Sequence, residues 1–321
     1  MSCRINLIKK IFVLVGLMCM GMSASAQDNI FSQFHNHPNS LNPSLTALRS
    51  CGRLYTNYRH ADFGPLKQKY MSVAFDIPFS ETYSGFGGML YVAEEGVMQT
   101  GSFSAQFSRK ITIVNDVFFT LGMEAGGVFR KYKQSRLVLP SNIQTGQDGG
   151  SNLVLPSSLV FDMSAGAGLN YHNHFIGFAT HHLTETGVKS IYTNSQLYRR
   201  FTLHYASRFS FSMPGRNDGY YSPQVIIDKQ KGNNQATMGV YGMYNSVGAG
   251  AWVRTHFPFN VSFFVLMGTI NSKNMQFSYS YDFPVNGTGL VSGAHEISII
   301  YYISDFKEKY HKLNQKNCLS F

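Results

Sequence analysis

The sequence predicts an all-β protein, a transmembrane antiparallel β-barrel of about 14 strands with a short N-terminal plug-like segment. Three observations predict it. Segment after segment alternates apolar and polar residues with period two. Charged residues make up only 14% of the chain and aromatics also 14%, whereas an ordinary soluble domain carries about 25% charged residues. A secretory leader opens the chain, and no later stretch reaches the roughly 18 to 20 apolar residues of a membrane helix.

The leader decides the compartment. Arg4, Lys9 and Lys10 form a positive region, Ile11 to Met20 an uncharged apolar run, and Ala24-Ser25-Ala26 a small-x-small cleavage site. Residues 1–26 therefore read as a signal peptide, with the mature chain expected from Gln27. The apolar run is too short to span about 30 Å of hydrocarbon as an anchor. Bulky Met18 before Cys19 argues against a lipoprotein site. An exported chain without membrane helices is either soluble or a closed barrel, the other structure that satisfies every backbone N–H and C=O within lipid.

The strands follow in order. Val73, Phe75 and Ile77 alternate with Ser72, Ala74 and Asp76, and Phe103, Ala105 and Phe107 with Ser102, Ser104, Gln106 and Ser108. Phe259, Val261, Phe263, Val265 and Met267 make a further apolar face, and Phe277, Tyr279 and Tyr281 face away from Ser278, Ser280 and Asp282. Successive strand side chains point to opposite faces, so in a membrane barrel the apolar set meets lipid and the polar set the lumen. Such segments span about 52–61, 68–77, 83–94, 99–110, 116–131, 159–171, 174–183, 198–211, 219–228, 234–244, 246–256, 258–268, 272–283 and 292–303. The two longest connections, 132–158 and 184–197, follow odd-numbered segments, and those after even ones, such as His172-Asn173 and Asn245, are short. Long loops outside and short turns on the periplasmic side are the outer-membrane pattern. A soluble β-sandwich also has many short alternating strands, but it does not explain the scarce charge or the loop asymmetry. One barrel over 51–303 is expected, preceded by a periplasmic or plug segment (27–50) and followed by a basic periplasmic tail (304–321).

The net charge of +10 falls to +7 once the three leader cations are removed from 27 basic residues set against 17 acidic ones. No run of lysines interleaves with stacking aromatics, so nucleic acid is not an expected partner. Cys51 and Cys318 alone survive cleavage, which excludes a cysteine metal cage. They flank the first and last strands, neighbours in a closed barrel, so a disulfide between them is expected as a candidate in an oxidising periplasm.

No catalytic set is evident, and no cofactor or metal site is expected. His35 and His37 have a spacing that chelates in an extended segment, but no third ligand presents itself. His181 and His182 are adjacent on a strand and so should diverge. His204 with Ser207 or Ser210 is a coincidence in a serine-rich chain. Gly85-Phe86-Gly87-Gly88 does not lead from a strand into a helix, so it is no phosphate loop. Gly166, Gly168, Gly248 and Gly250 recur on one face of their strands, either to leave room inside the barrel or to ease curvature. Phe31 to Thr46 has turn residues and no strand pattern, with Phe31, Phe34 and Leu41 apolar enough to dock. It is either a disordered leader or a segment packed in the periplasmic mouth.

This segment also carries a resemblance. Gln27 to Phe34 (QDNIFSQF) and Leu41 to Ala47 (LNPSLTA) resemble the opening of the PorP/SprF family, with Phe31, Ser32, Gln33, Asn42 and Pro43 as its motif residues and candidate partner contacts. Asn29 stands where the family has proline and Ser44 where it has alanine. Asn57-Tyr58-Arg59, Gly239 with Trp252-Val253-Arg254, Tyr279-Ser280-Tyr281-Asp282, Gly293-Ala294-His295-Glu296-Ile297-Ser298 and Cys318-Leu319-Ser320-Phe321 are similar to later family motifs, in the same order. The resemblance implies a cell outer membrane barrel of the Bacteroidetes type IX secretion system, without a catalytic centre. It implies a scaffold or docking partner for secretion or surface display of large cargo proteins, including adhesins in gliding motility. The implied partners are outer-membrane lipid, periplasmic and surface components of the system, and cargo. The alternative is an outer-membrane transport barrel for hydrophobic or small polar solutes.

Overall fold

A computed structural model of the chain describes residues 28, 31–46, 48, 51–63, 66–79, 82–114, 116–133, 157–189, 194–212, 219–257, 260–285 and 293–303. Among the described residues, seventeen strands follow three short helical turns. They are β1 (Gly52–Phe63), β2 (Leu66–Phe79), β3 (Ser84–Glu95), β4 (Met98–Val114), β5 (Val117–Tyr132), β6 (Ser158–Tyr171), β7 (His174–His181), β8 (Gly187–Lys189), β9 (Asn194–Gln196), β10 (Arg200–Ser207), β11 (Phe209–Phe211), β12 (Gly219–Gln230), β13 (Asn233–Tyr244), β14 (Val247–His256), β15 (Asn260–Ser272), β16 (Met275–Pro284) and β17 (Gly293–Ile303). Every neighbour pairing is antiparallel. β1 pairs with β17, from Gly52 opposite Ile303 to Asp62 opposite Gly293, and β10 pairs with both β7 and β12, so the sheet closes. β11 continues β10 along β12 after a break at Arg208. Counting β10 and β11 as one stave, the barrel has fourteen strands. No helix among the described residues is long and apolar enough to cross a membrane.

The predicted spans and observed strands agree to within a few residues, with two differences. The expected strand 198–211 is broken at Arg208, whose backbone N–H donates to the Asn173 carbonyl at 2.8 Å. The expected loop 184–197 holds the separate hairpin β8–β9. At the end where β1 begins, turns are tight: Asp116, His172 and Asn245 take φ of 64°, 53° and 56°, the left-handed values that primed hairpin turns need and that Asn and Asp tolerate best. The opposite end carries the connections after β5 and β7. Residues 134–156 of the first of these, and the expected tail 304–321, lie outside the described residues.

Side-chain direction explains the composition. Leu54, Met71, Phe75, Leu90, Phe103, Phe107, Phe161, Phe178, Leu203, Leu266 and Phe277 are exposed on the outer wall. Fully burying one such side chain is worth about 1.5–3 kcal/mol, and the barrel exposes dozens of them. A wetted wall of that size would forgo far more than the roughly 5–15 kcal/mol by which domains are stable, so this face belongs in lipid. Ser72, Asp76, Gln106, Ser108, Ser278, Ser280 and Asp282 turn inward and are buried.

One strand reverses the sequence expectation. Val265 and Met267 face inward and are buried, while Phe264 and Leu266 face out. Residues 263–267 are apolar on both faces, so alternation alone does not choose. The choice falls to the lumen, where Val265 and Met267 join Phe34, Leu41, Leu45, Tyr241 and Trp252 in one apolar cluster.

Candidate functional site

The candidate functional site is the interior, where Asp28 and residues 31–46 meet the inner wall. Phe31, Ser32, Gln33, Phe34, Asn36, His37 and Asn39 to Thr46, apart from half-buried Ser40, are buried. Their partners lie on strands all around the wall. Three short turns shape the segment: Phe34–Asn36, Pro38–Leu41 and Pro43–Leu45. Pro38 and Pro43 open the second and third, where a missing N–H costs nothing. Asn42 caps the third, its Oδ1 accepting from the Ser44 N–H at 2.9 Å.

The densest contact surrounds Ser32 and Gln33. Their backbone N–H groups donate to the two oxygens of Glu296, each at 2.9 Å. Ser32 Oγ donates to Asp282 Oδ2 at 2.7 Å and accepts from Arg59 at 2.6 Å and Arg254 at 2.8 Å. Arg59 spans both acids, reaching Asp282 at 2.7 Å and Glu296 at 3.0 Å, and Arg254 lies 3.3 Å from Asp282. Gln33 Nε2 donates to Ser280 Oγ at 3.0 Å and to the Glu296 carbonyl at 2.9 Å. Asn57 donates to Glu296 at 2.9 Å. Two guanidinium groups and two carboxylates thus balance inside the barrel, each with hydrogen bonds. Such a group is neutral as a whole but intolerant of losing one member.

Beyond this centre, Asn36 donates to Ser298 Oγ at 2.9 Å and accepts from Gln276 at 2.7 Å. Phe31 packs with Tyr70 and Ala93 and meets Tyr91 edge-on at 6.1 Å. Asn42 Nδ2 donates to the carbonyls of Ala167 at 3.1 Å and Phe178 at 3.3 Å. Glycines make the room: a Cβ at Gly166 would strike Asn42, and one at Gly122 the backbone of Pro43 and Ser44. Gly168, Gly248 and Gly250 serve differently, being filled by Phe175, Tyr241 and Trp252 of the wall itself.

The histidines are engaged structurally. His35 stacks on Trp252 at 5.5 Å, whereas the Nε2 of His37 lies 2.6 Å from Ser72 Oγ, so the two do not converge. His181 Nε2 meets the Leu41 carbonyl at 3.1 Å, and His204 Nε2 lies 3.0 Å from Asn42 Nδ2. No group of three or more metal-ligating side chains occurs among the described residues. Cys51 is disulfide-bonded, and Cys318 lies outside the described residues.

At the end bearing the long connections, Asp28 meets three strand ends. Its N–H donates to Gln230 Oε1 at 3.0 Å, and its Oδ2 accepts from Gln230 Nε2 at 3.2 Å, lies 2.7 Å from His182 Nε2 and 3.6 Å from Arg200. His182 Nδ1 faces Asp162 Oδ2 at 2.6 Å. With a carboxylate at each ring nitrogen, His182 donates from both. Burial alone would lower its pKa, but Asp28 and Asp162 outweigh burial and hold it at about 10. Burial would raise the Asp28 carboxyl, and His182 with Arg200 instead holds it well below the usual carboxylate range. The sequence expectation placed this segment in the mouth from which β1 starts. Asp28 lies at the opposite end, because its charged partners His182 and Arg200 are there. Beside it, a cavity of about 160 Å³ is lined by Phe31, Leu41, Met89, Val128, Arg130 and Asp228, among others.

The residues that receive Ser32 and Gln33 decide the identity. Asn57, Arg59, Arg254, Ser280, Asp282 and Glu296 come from four strands, β1, β14, β16 and β17, and each belongs to one of the short motifs noted in the sequence. Residues 23–301 match the family described as "Type IX secretion system membrane protein PorP/SprF". The chain belongs to the PorP/SprF family. It is an outer-membrane barrel of the type IX secretion system, and it works with other components of that system. No curated protein matches the chain in sequence. Among solved structures, the chain is similar to the Ralstonia pickettii toluene transporter TbuX at 10% identity, covering 83% of this chain and 93% of that one with a TM-score of 0.48. It is also similar to a Pseudomonas aeruginosa FadL homologue at 14% identity, covering 81% and 92% with a TM-score of 0.46. These likenesses to solved structures carry no functional argument.

The sequence marks Arg59, Arg254, Asp282 and Glu296 only as motif members. For Arg254, Asp282 and Glu296 the signal is a full charge at an inward position of a strand that has no other.

Proposed function

We propose that this PorP/SprF barrel is a non-catalytic scaffold or docking component of type IX secretion, with its lumen occupied by Asp28 and residues 31–46 rather than open as a pore. The observation that carries this reading is the buried hydrogen-bonded seat of Ser32 and Gln33 on Arg59, Arg254, Asp282 and Glu296. A solute path through the lumen would have to break that seat. A segment so held stiffens the barrel and leaves its two rims as the surfaces that other proteins meet. The rim bearing the long connections is suited to large cargo or an adhesin, including adhesins of gliding motility in Bacteroidetes, and the opposite rim to periplasmic components.

The alternative, a transport barrel for hydrophobic or small polar solutes, draws support from the partly apolar cavity beside Asp28. Conductance in a planar lipid bilayer separates the two. The native barrel is expected to be nearly silent; steady single-channel current from it would overturn the scaffold reading.

A further inference from the structure

A segment that only corked the mouth where β1 starts would leave its free end on that side. This one does not. Cys51 precedes Gly52, the first residue of β1, which pairs with Ile303 at one end of the barrel. Asp28 sits at the other end, among His182 just past β7, Arg200 at the head of β10 and Gln230 at the close of β12. Between these points the chain contacts inward side chains of β17, β2, β4 and β10 and a backbone carbonyl of β6. The backbone ladder is closed all around, so the segment has no exit through the wall.

The end at which Asp28 is bound also carries the long connections after β5 and β7, which in outer-membrane barrels face the cell exterior. Four observations therefore coincide at one place: a half-buried carboxylate, a histidine bridging it to Asp162, an arginine within 4 Å, and a side-chain amide that both donates to and accepts from Asp28. His182 adopts φ of 57°, a left-handed value outside the strand pattern. That turn carries its ring inward beside His181 rather than to the opposite face.

We propose that the amino-terminal end of the mature chain is carried through the lumen and presented at the cell-surface mouth, held there by a clasp of Asp28 with His182, Arg200 and Gln230. Two consequences follow. The barrel closes around the segment during assembly, since a closed ladder gives no lateral way in. The surface mouth then includes a chain terminus as well as loops, so a cell-surface partner meets both. The inference rests on the lumen-filling reading above and adds the direction and the anchor.

The test is a short epitope inserted between Gln27 and Asp28 in the full-length protein expressed in its own membrane. On intact cells, an antibody is expected to bind the epitope. Binding only after the outer membrane is permeabilised would overturn the proposal. Because an insertion can disturb the clasp, a second measurement uses no tag. Asp28→Cys with His182→Cys is treated with a short bifunctional maleimide, and the linked peptides are mapped by mass. A 28–182 link in barrels that still shift on heating supports the proposal, and its absence in such barrels overturns it. Loss of the heat shift in every form would instead bring down the barrel reading, a distinguishable result. His182→Gln alone is expected to raise the rate at which added protease cuts within residues 28–46 by about tenfold, since cleavage tracks the open population. An unchanged rate would show that the clasp does not hold the end.

Discussion

At the scale of the residue, the interior is governed by charge balance. Glu296 accepts both backbone N–H groups of Ser32 and Gln33 and faces Arg59 and Asn57. Removing its charge while keeping its shape leaves two arginines sharing only Asp282, all of them buried. Breaking a buried pair by removing one member costs about 3–5 kcal/mol. Glu296→Gln is therefore expected to lower barrel stability by an amount of this order, read as a fall in the denaturant midpoint in detergent. A midpoint equal to the native one would show that the network does not hold the segment. A change on the outer wall such as Leu90→Val loses only a lipid contact and provides the comparison.

At the scale of the element, the segment and the wall are matched by glycines. A Cβ at Gly166 would collide with Asn42, whereas one at Gly268 meets nothing within 4 Å. Gly166→Leu is expected to displace the Asn42-Pro43-Ser44 turn and to produce bilayer conductance from a barrel that still shifts on heating. Gly268→Ala is expected to stay silent. Conductance from neither would mean the segment finds another seat, and from both that the glycine is not the cause. The same matching separates what was legible from what was not. For Gly166 and Gly168 the sequence left room inside and sheet curvature equally open. Gly166 proves to be occupied by the segment and Gly168 by Phe175 of the wall. β15 escapes the alternation for a related reason: with apolar residues on both faces, period two has no contrast to report.

At the scale of the whole molecule, closure joins the first strand to the last. The β1–β17 pairing brings Gly52 opposite Ile303, Cys51 is disulfide-bonded, and Cys318 is its expected partner. Intact mass with and without reductant, followed by peptide mapping, is expected to find this pair. Alkylation of both thiols without reductant would exclude it. The larger claim is tested by fractionation: a tagged protein is expected in the outer membrane, with a gel shift on boiling. Recovery in the soluble periplasm with no shift would contradict a closed barrel. The wall was readable because lipid outside and a polar lumen impose alternation on each strand separately, as in Val73, Phe75 and Ile77 against Ser72, Ala74 and Asp76.

What the sequence by itself determined is local: the strands, their number, the long and short connections, and the motif residues Phe31, Ser32, Gln33, Asn42 and Pro43. Each of these is written in residues close together in the chain. The seat of those motif residues was decided only by tertiary structure. Arg59, Arg254, Asp282 and Glu296 are separated by up to 237 positions, and register alone brings them to one point. The direction of the segment was likewise invisible, because Asp28 is placed by the ends of β7, β10 and β12, with His182 154 and Gln230 202 positions further along the chain.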